Sequence, residues 1–187
     1  MTLMRETKRK LFHAVLGTIF LLAAAFIERQ LLLLAVAAIF LTGIIISWFV
    51  KRGANIPAIN FFVQKFGREK EKHFPGYGAL YFLLGFFLLV FLFPGQEIVF
   101  GALLVSVYGD TISTIAGKAI GRIKTVAPYT LEGTIAGIIV SAALLAQLFP
   151  LSAAIIVAVI GMLAEYLPVD DNLMIPLVCA AALTILI

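Results

Sequence analysis

Charge is scarce in this sequence: only 13% of its 187 residues are Asp, Glu, Lys or Arg, about half the share usual in water-soluble domains. That scarcity excludes an ordinary solvated surface. Cysteine is nearly absent too. The one thiol, Cys179, lies in the last apolar run, which excludes an intrachain disulfide and makes it a packing residue. Long polar stretches are missing apart from Lys51 to Gly76, which leaves no room for a soluble catalytic domain. Any chemistry falls to short loops and helix ends. What is abundant is apolar: 63% of the residues are hydrophobic and the mean hydropathy is +1.11. We therefore expect a single integral membrane domain over residues 1–187. The net charge of +4 needs no nucleic acid to explain it, because the basic residues flank apolar runs where anionic lipid headgroups are the natural partners.

A hydrocarbon layer of about 30 Å and a rise of about 1.5 Å per residue require apolar helices of roughly 17 to 25 residues. About seven runs qualify: Leu11 to Ile27, Leu31 to Val50, Tyr77 to Phe93, Glu97 to about Lys118, Leu131 to Phe149, Leu151 to Leu167 and Asn172 to Ile187. Pro94, Pro150 and Pro168 fall between neighbouring runs, where the missing donor favours a chain reversal. Residues 8–25 also have the outline of a secretory signal, with Lys8, Arg9 and Lys10 ahead of an apolar run and Ala23 to Ala25 behind it; we read them as the first span. The expected fold is all-α, a polytopic bundle in the cell membrane. Thirteen of the fourteen Lys and Arg residues fall on one side of a seven-span arrangement, all but Arg29, which predicts a cytoplasmic N-terminus. The stretch 51–76, with Phe61, Phe62 and Phe66 among polar residues, fits an interfacial amphipathic helix: a basic lid over a headgroup site, or a connector held to anionic lipid.

The fourth run carries the sharpest chemical signal. Ser106, Asp110, Thr114 and Lys118 recur every four residues and so share a helix face. An acid in an apolar helix must meet a cation, a metal or water, which makes Asp110 a candidate for function; the plainer alternative is a buried pair with a lysine that serves packing. Gly109, Gly117 and Gly121 allow a helix or a phosphate to come close, and Gly133 and Gly137 fit helix packing. A Walker loop is excluded, since Ala119 follows Gly117 and Lys118 and Ile112 stands in place of the first glycine. Lys118, Arg122, Lys124 and Thr130 nevertheless surround a helix start at Leu131 that favours anions. Asp170, Asp171 and Asn172 follow Pro168; helix capping explains one acid, and two carboxylates near Asp110 would suit Mg²⁺. Lys10 and His13, at the start of the first run, suit an interfacial or headgroup-binding role, as does Asn172.

The stretches RKLFHAVLG (9–17), FPGYGALYFLLG (74–85), GDTISTIAGKAIGRIK (109–124), TLEGTIAG (130–137) and LPVDDNLMIPL (167–177) resemble, in order and spacing, the CTP-dependent lipid kinases: dolichol kinase, phytol kinase and the CTP-using diacylglycerol kinase. Relatives often carry a lysine ahead of the hydroxyl residue where this chain has Pro128 and Tyr129, and Lys124 is the candidate substitute. The resemblance implies transfer of the γ-phosphoryl group of CTP to a lipid alcohol such as a polyprenol (dolichol or another isoprenoid), phytol, geranylgeraniol or diacylglycerol, at the cytoplasmic face. It assigns Asp110 to metal or hydroxyl activation and Asp170 and Asp171 to metal or nucleotide, with Asp171 and Lys118 counted among the catalytic residues. Lys118, Arg122, Lys124 and Thr130 would meet phosphates, and Glu132 would orient a lysine or a metal-bound water. CTP, Mg²⁺, the lipid alcohol and the bilayer are then the partners, with no nucleic acid. Which carboxylate accepts the proton, and the oligomeric state, stay open. A cytidylyltransferase that makes a CDP-lipid would need similar residues, and a membrane transporter would use Asp110 and Lys118 along a path for which only Ser141 and Gln147 supply further polar groups.

Overall fold

The computed structural model describes residues 3–57, 76–126 and 128–187, and among these the chain is helical, with no strand beyond one isolated bridge between Lys124 and Thr130. The expected interfacial helix falls mainly on 58–75, outside the described residues. Helix α1 is Leu3–Phe26 and α2 is Arg29–Lys51; α3 is Tyr77–Leu92; α4 (Gln96–Leu104) passes through a π-helical turn (Val105–Gly109) into α5 (Asp110–Ile120); α6 is Leu131–Leu145, α7 Leu151–Leu163 and α8 Asp171–Leu186. Among the described residues three helices are long and apolar enough to cross a membrane: Glu6–Phe26, Arg29–Lys51 and the continuous Gln96–Ile120.

Two of the remaining apolar helices, α6 and α7, are clearly shorter than the sequence suggests. α6 ends at Leu145 rather than Phe149, giving 15 residues, or roughly 22 Å of helix. Its last turn unwinds ahead of Pro150, which caps α7. α7 closes with a 3₁₀ turn, Ala164–Tyr166, before Pro168. α1, by contrast, begins well before its apolar run, because an i,i+3 pair between Arg9 and Glu6 supports the polar first turns.

The continuous helix α4–α5 is central: 67% of its apolar window is buried, against 22% for α1 and 17% for α2. α5 packs on α6 and α1, α6 on α7, and α8 on α3, α4 and α7, while α2 leans mainly on α3. α1 and α2 turn Val15, Leu22, Leu34, Leu41 and Ile45 outward, an apolar surface suited to hydrocarbon rather than water. Pro176, inside α8, supplies no N–H to the carbonyl of Asn172, and α3 meets that carbonyl at Gly85, where a Cβ would collide with it.

The tightest seam joins α5 to α6. A Cβ on Gly133 would stand 2.6 Å from the Ser113 carbonyl oxygen and 2.9 Å from the Gly117 Cα, and one on Gly137 3.0 Å from the Ser113 Cβ. Gly117 and Gly121 face Thr130 in the same way, so these glycines let helix and loop approach each other. Gly133→Leu is expected to force α5 and α6 apart and cost about 3 kcal/mol or more, read as a lowered unfolding temperature in detergent. An unchanged unfolding temperature would show that the seam does not hold the bundle together.

Candidate functional site

The π-helical turn sets the site's geometry. The Asp110 N–H bonds the Val105 carbonyl five residues back, so one extra residue is accommodated just before Asp110 and the helix face shifts there. Ser106, Asp110, Thr114 and Lys118 therefore do not form one straight stripe. Ser106 and Asp110 are buried, Thr114 is half-buried and Lys118 is exposed at the end of α5.

Asp110 is 1% exposed, and its Oδ2 accepts a hydrogen bond from the Lys10 ammonium, itself 2% exposed. His13 Nε2 stands 4.0 Å from the same oxygen, and its ring lies edge-on to Phe82. The two first-helix residues assigned to the interface thus turn inward, onto the central acid. The plainer alternative for Asp110, a buried pair with a lysine, is realised in geometry, with Lys10 as the lysine. Pairing and hydrogen bonding are what make the burial of both charges tolerable.

Beside this pair opens a cavity of about 790 Å³. Its wall is drawn from helix ends that all lie at one end of the bundle: Glu6 and Arg9 of α1, Tyr77 and Tyr81 of α3, Ser113, Thr114 and Lys118 of α5, Thr130 ahead of α6, Glu165 after α7, and Asp170 and Asp171 at the start of α8. Lys118, Thr130, Asp170 and Asp171, from three distant stretches of sequence, therefore share one cavity. Asp110 sits one turn deeper than Ser113 and Thr114. Arg122, Lys124, Glu132 and Asn172 do not line it. A smaller cavity of about 240 Å³ occupies the opposite end, where Gln96 bonds the carbonyls of Ala24 and Ala25. There Arg29 caps the Val90 and Phe91 carbonyls, which gives the lone outlying cation a structural task.

Local bonding separates the roles of the remaining candidates. Thr130 caps α6 by accepting from the Gly133 N–H at 3.3 Å. Glu132 accepts the backbone N–H groups of Arg122 (3.0 Å) and Ile123 (3.1 Å), so it folds the basic loop back on α6 instead of orienting a lysine side chain. Removing it in Glu132→Ala is expected to speed tryptic cleavage after Arg122 and Lys124 by about tenfold or more, since hydrogen bonds to a charged acceptor hold that loop. An unaltered cleavage rate would contradict that role. Asp170 Oδ1 accepts from the Asn172 N–H (3.2 Å) and Nδ2 (2.9 Å), capping α8, and Asn172 is buried in this cap rather than facing a headgroup.

Sequence reading missed Glu165. It is 2% exposed in the cavity wall, with Oε2 accepting from Ser113 Oγ at 3.1 Å, and it lies near enough to Asp110, Lys10 and Asp171 to feel their charges. An acid at the end of an apolar run, Leu163-Ala164-Glu165-Tyr166, was the available signal. Tyr166, next to it, shares a 2.7 Å hydroxyl contact with Thr134 and packs edge-on against Tyr129.

Among the described residues no group of three or more His, Cys, Asp or Glu side chains is close enough to hold a metal unaided. Mg²⁺ does not require one, because it is commonly held by one or two carboxylates together with phosphate and water oxygens. Asp170 and Asp171 on the wall of a cavity that also presents Lys118 and Arg9 fit that requirement.

Neither a family model nor a solved structure matches the chain. It is 32% identical over 184 residues to Uncharacterized protein MJ1137 of Methanocaldococcus jannaschii, an alignment covering 95% of this chain and 92% of the archaeal one.

Proposed function

We propose that the chain, which belongs to the same family as that archaeal protein, is a polytopic membrane enzyme that transfers the γ-phosphoryl group of CTP to the hydroxyl of a membrane lipid alcohol. The observation that carries this reading is one cavity whose wall holds Lys118, Arg9, Thr130, Asp170 and Asp171 beside the buried Lys10–Asp110 pair. Phosphoryl transfer needs alignment and charge neutralisation more than covalent chemistry, so a few cations, a metal and helix ends suffice without a soluble domain.

Seven spans with the N-terminus in the cytoplasm accompany the proposal. The four shorter apolar helices, Tyr77–Leu92, Leu131–Leu145, Leu151–Tyr166 and Asp171–Leu186, would complete the three long ones, with local thinning of the bilayer or helix ends reaching into the interface. The cavity then opens to the cytoplasm, where CTP is available, and the lipid tail stays in hydrocarbon between helices.

In that site Lys118 and Arg9 would contact the phosphates, Arg122 and Lys124 would attract the nucleotide from the adjoining loop, and Asp171 with Asp170 would hold Mg²⁺, with Asp110 behind them. A bound Mg²⁺ supplies neutralisation of phosphate charge. CTP as the nucleotide rests on the sequence resemblance. The tyrosines on the cavity wall offer flat faces against which a base can pack.

Purified protein in lipid vesicles, given CTP labelled at the α- or the γ-phosphate and a panel of polyprenol, phytol, geranylgeraniol and diacylglycerol, tests the reading. A kinase puts the γ-label into the lipid and leaves the α-label in CDP. A cytidylyltransferase, acting on a lipid phosphate, would put the α-label into lipid and the γ-label into pyrophosphate, and that result would replace this proposal. A transporter would move neither label into lipid.

A further inference from the structure

We propose that Glu165 is the side chain that takes the proton from the lipid hydroxyl as that hydroxyl attacks the γ-phosphorus. The assignment rests on the kinase reading above and answers the question it leaves open, namely which carboxylate is the base.

The argument comes from how each carboxylate near the cavity is engaged. Glu6 is paired with Arg9. Asp110 is bonded to the Lys10 ammonium, and a compensated anion is a poor proton acceptor. Asp170 Oδ1 is occupied by the Asn172 N–H and Nδ2. Glu132 holds the backbone of Arg122 and Ile123 away from the cavity. Asp171 is only half-buried, at the mouth, where phosphate and metal would sit.

Glu165 differs from all of these. It is 2% exposed on the wall of the cavity, its Oε2 is fixed by Ser113 Oγ, and its buried Oε1 has no hydrogen-bond partner among the described residues. A buried polar atom in a well-packed protein is normally satisfied, and a buried oxygen left without a partner beside a cavity is a place prepared for a donor from a bound molecule. A lipid hydroxyl rising from the hydrocarbon side is such a donor. The charges facing Glu165 come from three helices: Lys10 of α1, Asp110 of α5 and Asp171 of α8.

The step balances. The hydroxyl oxygen forms a bond to the γ-phosphorus and the bond from that phosphorus to the β-phosphate bridging oxygen breaks. The hydroxyl proton passes to Glu165 Oε1, and CDP leaves with the bond's electron pair. The proton is returned to water once the lipid monophosphate departs.

The test uses the full chain in lipid vesicles with γ-labelled CTP and the alcohol on which the unmodified protein is most active. Glu165→Gln keeps the size and the Ser113 contact but cannot take a proton. It is expected to lower kcat by about 100-fold or more, with KM for CTP and the half-saturating Mg²⁺ concentration within about twofold, while Glu165→Asp keeps at least about a tenth of the rate. A Glu165→Gln protein that keeps more than about a tenth of kcat overturns the assignment and leaves the kinase reading standing. A half-saturating Mg²⁺ raised about tenfold also overturns it, by marking Glu165 as a metal ligand. Should Glu165→Gln fail to fold, Ser113→Ala takes its place, with kcat expected to fall about tenfold at constant KM for CTP. An unchanged kcat in that variant overturns the assignment. No label transfer by the unmodified protein to any alcohol removes the kinase reading, and the assignment with it.

Discussion

Asp110→Asn is expected to abolish CTP-dependent lipid phosphorylation and, at the same time, to destabilise the bundle by about 3–5 kcal/mol. The loss of stability follows because Asp110 is bonded to Lys10 with both side chains 2% exposed, and neutralising the acid leaves an ammonium buried without its counter-charge. The pair therefore has to be tested as a pair. Lys10→Met alone is expected to be destabilised by a similar amount, whereas Lys10→Met with Asp110→Asn removes both charges and recovers most of the unfolding temperature. Activity should not recover with it. Label transfer and thermal unfolding on the same four proteins separate a structural pair from a functional one: full activity in the double variant would reduce Lys10–Asp110 to a packing device.

Asp171→Asn and Asp170→Asn are expected to part company, although the residues are neighbours. Asp170 is the N-cap of α8, and asparagine caps a helix about as well as aspartate, so that substitution keeps the fold and the cap. Asp171 follows the cap, half-buried on the cavity wall, in a position to present its carboxylate to a metal-bound triphosphate. Loss of that carboxylate is expected to raise the half-saturating Mg²⁺ concentration by about tenfold or more and lower kcat/KM for CTP with it. The effect of Asp170→Asn on the same quantity should be severalfold smaller. Equal Mg²⁺ curves for Asp171→Asn and the unmodified protein would remove Asp171 from metal binding.

Periodicity and composition are enough for the helices and for several of the residues that line the cavity. Apolar runs bounded by Pro94, Pro150 and Pro168 locate the helices because a proline reversal and a hydrophobic span are local features. The acids at 110, 170 and 171 stand out because charge is so rare here, and three of them with Lys118 border or adjoin one cavity. What the sequence hides are features that depend on partners far along the chain. Lys10 reads as an interfacial cation, and only the packing of α1 on α5 makes it the counter-charge of Asp110, 100 residues away. The π turn ahead of Asp110 has no periodic signature, since the residues around it keep an apolar helix pattern while the backbone takes in one more per turn. Glu132 looks like a site residue until its bonds to Arg122 and Ile123 show a loop clasp. Glu165 hides at the end of a long apolar run because burial, not spacing, is what distinguishes it.

Residues 9, 118, 130, 170 and 171 line one cavity, which we propose to be the nucleotide site. Cys179 is buried in α8, so a cysteine introduced at Thr114, on the cavity wall, is the thiol that a membrane-impermeant maleimide can reach. In vesicles that expose the end of the bundle holding the cavity, Thr114→Cys should react with the maleimide, and Mg²⁺ with CTP at about ten times its dissociation constant should slow the reaction about tenfold. A thiol at 114 that does not react, or whose reaction rate CTP leaves unchanged, would contradict the account.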